Sequence, residues 1–179
     1  AQLADLPQDE ALVWIAHSGA GFRLPAYRAA LPNPAAGYLF VDAGIPRDVP
    51  PGGLSQLGAM RREKASFADG LAEQLQRGGR FPEWTDEMLR DVIPNAALRA
   101  AMLRELQPRG GRYFEEPIPL PAEWPEAPCA CLNFTESYAA DLAYAQAAGW
   151  RTDALSGGHF HMLVKPAEVA DKLLALIDH

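Results

Sequence analysis

Residues 12 to 29 read LVWIAHSGAGFRLPAYRA, and few architectures accommodate such a stretch. Leu12 to Ala16 is a short, unbroken apolar run, as expected of a strand covered on both faces. It ends in Ala-His-Ser-Gly-Ala and turns at once into a helical pattern over Gly19 to Ala30. An apolar strand running straight into a helix is the unit from which parallel α/β sheets are built. Pro25 is predicted to kink or loosen the second turn of that helix.

Three further strands are predicted: Gly37 to Val41, Cys129 to Phe134 and Arg151 to Leu155. Helices are predicted over Tyr138 to Ala148, which Gly149 would stop, and over Pro166 to Ile177, which Pro166 would open. In the latter, Val169, Leu173, Leu174 and Ile177 form one apolar stripe. Residues 47 to about 125 show no clear strand. They read as helices over about 58–77, 85–92 and 95–106, followed by the proline-rich EEPIPLPAEWPEAP. The expected organisation is one α/β domain spanning residues 1–179. Its core would be 1–46 and 126–179, with a helical insertion at 47–125 over the carboxyl edge of the sheet, where open α/β folds bind ligands.

Apolar residues make up 49% of the 179 and charged residues 22%, ordinary values for a globular chain with one core. A net charge of −7 argues against a sequence-independent nucleic-acid binder and against an anionic membrane surface. No apolar run approaches the ~20 residues that span a bilayer, and the first residues carry no signal-peptide pattern. Cys129 and Cys131 would share one face of a strand, too close for ordinary disulfide geometry. They read as two small, partly buried thiols in a reduced, cytoplasmic setting. The partner expected is a small-molecule substrate, with no nucleic acid, no membrane, no cofactor and no metal; a homodimer is the assembly left open.

Ala16-His17-Ser18-Gly19-Ala20 has the form small-x-Ser-x-small. A serine on a strained strand-to-helix turn needs small neighbours, because larger ones collide. Such a turn lifts the hydroxyl above the sheet edge and sets the Gly19 N–H to receive a developing oxyanion. The bland alternative is a tight turn with an incidental serine. A nucleophilic serine needs a base. His17 is adjacent but diverges and is expected to pack beside the site, and His179 is terminal. That leaves the loop SGGHFHMLVKP, with His159 and His161, at the same sheet edge. An orienting carboxylate is also required. The order serine, acid, histidine favours Glu136, just past the third strand, with Asp42 at the end of the second strand as the alternative.

These residues resemble the α/β-hydrolase superfamily. The nearer likeness is to small bacterial α/β-fold hydrolases and to plant methyl esterases and hydroxynitrile lyases. The matching pieces are LVWIAHSGAG, YLFVDAGIP and LSGGHFHMLVKPAEVADKLLALI. The resemblance implies a parallel sheet with a helical cap, Ser18 as nucleophile and the acid as Glu136. Counted back from Pro166, it implies His159 rather than His161 as base. It also implies that 47–125 is the cap over the pocket. Glycine is commoner in the family where this chain has Ala16 and Ala20. Only 17 residues precede Ser18, where the family carries several strands. The sequence is therefore expected to be part of a longer protein whose preceding strands include the loop with the second oxyanion donor.

The function expected is hydrolysis of a small, largely apolar ester through a Ser-His-acid triad, in a pocket lined by His17, Met60, Phe67, Phe81, Trp84 and Phe114. Taken alone, those cap aromatics read more readily as simple cap core than as substrate contacts. Three other readings stand beside it. Cyanohydrin cleavage would use Lys64. A non-catalytic relative would keep the turn as architecture. A metal on His159 and His161 finds no acidic residue at ligand spacing to complete a set.

Overall fold

A computed structural model describes residues 7–177 of the chain. Four parallel strands form the main sheet: β1 (Leu12–Ser18), β2 (Ala35–Ala43), β5 (Cys129–Asn133) and β6 (Arg151–Ala154), in the spatial order β1-β2-β5-β6. All four lie where the sequence predicts them. Between β2 and β5 comes a small antiparallel pair, β3 (Leu54–Ser55) with β4 (Pro117–Ile118).

Alternation along the strands sends successive side chains to opposite faces. Tyr38, Phe40, Cys129 and Cys131 point to one face and pack with Ala16, Leu24 and Ala145. That face is covered by α1 (Ala20–Ala29) and α7 (Ala139–Ala147). Leu39, Val41, Ala130 and Leu132 point to the other and meet Val169 and Leu176 of α9 (Pro166–Ile177). Both faces are therefore dry at the central strands β2 and β5, where Tyr38 and Phe40 are completely buried, whereas the edge strand β1, expected to be covered on both faces, leaves Ile15 half exposed. The two cysteines are free and share a face, as their spacing predicts; burial pushes both thiols up to about 12.

Pro25 lies inside α1 without interrupting it, and its ring is fully buried. Packing of the helix against the sheet outweighs the backbone hydrogen bond that proline removes.

The segment between β2 and β5 carries α2 (Gln56–Glu63), α3 (Ala65–Gln76), α4 (Asp86–Leu89), α5 (Ala96–Glu105) and α6 (Gly111–Glu115). The helix predicted over 58–77 is two helices, divided at Lys64, whose φ of −138° and ψ of 56° leave helical space. The helix predicted over 85–92 lasts only one turn. Ser55, Thr85 and Asn95 cap α2, α4 and α5 by accepting backbone N–H bonds. The β3-β4 pair was not predicted, because two residues are too few to show a period. Leu57, Ala68, Leu71, Leu75 and Phe114 form an apolar cluster of this segment's own. No helix among the described residues is long and apolar enough to cross a membrane.

Helix α1 approaches the end of β2 closely at Gly21. A Cβ there would collide with the Gly44 carbonyl oxygen and stand 3.0 Å from Ala43 Cβ. Intrinsic propensity favours alanine over glycine in a helix, but here the contact decides. Gly21→Ala is expected to lower stability by about 1–3 kcal/mol, read as a lower urea midpoint at unchanged slope.

Candidate active site

The end of β1 and the end of β2 are both bent. Ser18 has φ of 58° and Asp42 has φ of 41°, left-handed values that are uncommon for residues with a side chain. The ladder pairs His17 with Val41 and then Ser18 with Ala43, so Asp42 is an extra residue that bulges out of β2. The Gly44 N–H donates to the Ser18 carbonyl at 3.1 Å and holds the two bends together. Gly19 then caps α1. Backbone strain of this kind is characteristic of functional sites.

The loop from β6 to α8 (His161–Val164) carries His159 over these bends. His159 Nδ1–H donates to Asp42 Oδ2 at 2.6 Å, and its Nε2 faces Ser18 Oγ at 3.0 Å. Asp42 is completely buried. Its Oδ1 accepts the backbone N–H groups of Phe134 at 3.0 Å and Thr135 at 2.9 Å, and the Thr135 hydroxyl reaches both oxygens. Burial works to raise the carboxyl's pKa. The bonds from His159, Phe134 and Thr135 outweigh it and hold the group below its ordinary value. An ionised Asp42 accepts only, so it fixes the His159 tautomer with the proton on Nδ1 and leaves Nε2 free as a base toward Ser18.

The carboxylate beside His159 is thus Asp42, the alternative, and not Glu136. Glu136 is solvent-exposed and opens the 3-10 turn Glu136–Tyr138 beyond the end of β5. The chain order from which Glu136 was expected is met by Asp42 as well, since both lie between Ser18 and His159. The bulge in β2 separates them, by aiming the earlier carboxylate under the histidine loop. An aspartate directly at the end of a strand buried on both faces was the signal for this. Such a carboxylate stays charged only if donors surround it.

His17 lies beside His159, their ring centres 4.3 Å apart, and His17 Nε2–H donates to the His159 carbonyl at 2.8 Å. Burial, and then repulsion from His159, lower its pKa to about 4. His161 is not at Ser18. Its ring packs on Phe134, with centres 5.5 Å apart, and against Gly157, where any Cβ would collide with it. His179 lies outside the described residues. Among those described, no cluster of His, Cys, Asp and Glu could hold a metal ion.

A cavity of about 580 Å³ opens on Ser18, Gly19, His17 and His159. The residues expected to line it, Met60, Phe67, Phe81, Trp84 and Phe114, all do, and so does Lys64. Phe81 meets Phe67, Trp84 and Phe114 edge-on at 5.9 to 6.3 Å, so these rings are packed together as well as facing the cavity. Among the lining residues that carried no sequence signal, Tyr138 and Gln56 stand nearest to Ser18 and Gly19. Tyr138 places its hydroxyl 3.2 Å from Ser18 Oγ. Gln56, almost wholly buried, fills the space that a Gly19 side chain would need.

A half-buried, neutral His17 makes stability depend on pH. Below the ordinary histidine value near 6.5 the unfolded chain takes up a proton that the folded one refuses until about pH 4. Stability is expected to fall as pH drops from about 6.5 to about 4, by at most about 3 kcal/mol. Urea midpoints across that range check this, and His17→Phe is expected to flatten the slope.

The alpha/beta hydrolase family model matches residues 1–172. No curated protein is a significant match to the chain. Among solved structures, an extracellular α/β-hydrolase from a Paenibacillus species superposes with a TM-score of 0.70 at 16% identity, over 94% of this chain and 72% of its own. It is described as sharing structural and functional homology with tobacco salicylic acid binding protein 2. Polyneuridine aldehyde esterase gives 0.63 at 17%, over 97% and 74%. A methylesterase from Arabidopsis gives 0.62 at 13%, over 99% and 73%. At such identities the likeness is one of fold. The family match over nearly the whole chain, with the strained serine turn at its centre, places this protein in the α/β-hydrolase family.

Proposed function

We propose that the chain carries a serine hydrolase centre acting on a small, largely apolar ester. The hydrogen-bonded series Asp42 to His159 to Ser18, at 2.6 and 3.0 Å, carries this reading. Ser18 Oγ attacks the ester carbonyl while His159 Nε2 takes its proton. Asp42 holds the imidazole and stabilises its charged form. The Gly19 N–H, at the N-terminus of α1, receives the oxyanion. The tetrahedral species collapses as His159 returns the proton to the leaving alkoxide, and water repeats the sequence on the acyl-enzyme. Residues 47–125 act as the cap, and their aromatic side chains receive the apolar part of the substrate. Two of the similar structures carry the word esterase in their names, which supports the reaction class.

Cyanohydrin cleavage is a second reading, favoured by Lys64, whose ammonium lies in the same cavity, 4.3 Å from the centre of the Tyr138 ring. Release of cyanide from a cyanohydrin, without ester turnover, would support it over hydrolysis.

Ser18→Ala is expected to abolish p-nitrophenyl ester turnover and fluorophosphonate labelling while the circular dichroism spectrum is unchanged. A folded protein that never labels is a binding relative rather than an enzyme. Asp42→Asn is expected to lower kcat by about 10³–10⁴, and Glu136→Gln to leave it within about twofold. Steady-state kinetics on the two variants decide between the carboxylates.

A further inference from the structure

Ser18 has one hydroxyl proton to place. His159 Nδ1–H is committed to Asp42, so His159 Nε2 is bare and takes the Ser18 proton. Ser18 Oγ is then an acceptor toward Tyr138, whose hydroxyl is 3.2 Å away. We propose that Tyr138 is a further catalytic residue, donating its phenolic O–H to Ser18 Oγ whenever that oxygen carries negative charge. The inference rests on the reading of Ser18 as nucleophile.

The geometry holds the phenol in place. Tyr138 ends the 3-10 turn behind β5, and its ring lies nearly parallel to that of His159, at 15° and 5.5 Å between centres. The Lys64 ammonium stands over the ring as well. Burial pushes the phenol up to about 12, so the group keeps its proton at neutral pH.

The length of the bond is what makes it catalytic. Neutral O–H to O bonds cluster near 2.7–2.8 Å, and those to a charged oxygen shorten to about 2.5–2.7 Å. At 3.2 Å the resting contact is weak. It strengthens as His159 withdraws the serine proton and charge gathers on Oγ, and only interactions stronger in the transition state accelerate the step. Once the Oγ to carbon bond has formed, Oγ is a neutral, ether-like oxygen of the tetrahedral species. The Tyr138 hydrogen is then free to turn toward the oxyanion on the same carbon. In deacylation the Oγ to carbon bond breaks, Oγ regains charge before His159 returns its proton, and the phenol donates again. Tyr138 ends each cycle with the proton it began with.

Tyr138→Phe removes one oxygen and keeps the ring, its stack on His159 and the Lys64 contact. A purely structural ring would therefore lose nothing. The experiment uses the whole chain with p-nitrophenyl acetate, the fluorophosphonate label and Ser18→Ala as reference. The expected result is a fall in kcat of about 10²-fold, with KM within about twofold. The burst and the steady-state rate should fall together, and labelling of Ser18 should be complete but slower. Unchanged burst and steady-state rates in a Tyr138→Phe protein whose parent depends on Ser18 would overturn the role of Tyr138 alone. A parent that neither labels at Ser18 nor loses turnover in Ser18→Ala overturns the nucleophile reading, and the present inference with it.

Discussion

The site depends on one buried carboxylate. Asp42 has no exposure to solvent, and leaving it charged there without partners would cost several kcal/mol. Its partners come from two places: the chain just past β5, through the Phe134 and Thr135 N–H groups and the Thr135 hydroxyl, and the histidine loop through His159. Satisfying the charge therefore ties β2 to β5 and draws a loop from 117 residues away onto the same point. The bulge that aims Asp42 downward is paired with the bend that lifts Ser18, and one backbone bond from Gly44 to Ser18 couples them.

The surrounding polar groups are arranged so that each holds one protonation state. His17 is kept neutral by burial and uses its single N–H to hold the His159 backbone. Tyr138 is kept protonated by burial, and it donates toward Ser18 because the serine's own proton faces His159. Asp42 is kept ionised and can only accept. With these three states set, the direction of every hydrogen bond around His159 follows, and so does the lone pair that faces Ser18.

Close approaches without a side chain complete the frame. Gly21 lets α1 press against Gly44 at the end of β2, and Gly157 lets the His161 ring fold under the loop that presents His159. His161 thereby packs against Phe134 and leaves His159 as the loop's imidazole at Ser18.

The sequence by itself determined the sheet. GYLFV buries both faces and LVWIA one face with half of the other, so the apolar runs and the breakers around them suffice to place the strands and the helices that cover them. It also determined Ser18 and the histidine loop, because a serine fenced by small residues between strand and helix, and a glycine-rich loop before the last helix, are local patterns. The split at Lys64 and the two-residue strands β3 and β4 lay outside it, since neither leaves a periodic trace. The identity of the acid was decided only in three dimensions. Glu136 and Asp42 both follow strands at the same edge, and the choice came from a one-residue bulge and from donors on a different strand. Tyr138 and Gln56 likewise reach Ser18 and Gly19 from distant elements, and no spacing in the chain can report a contact made by packing.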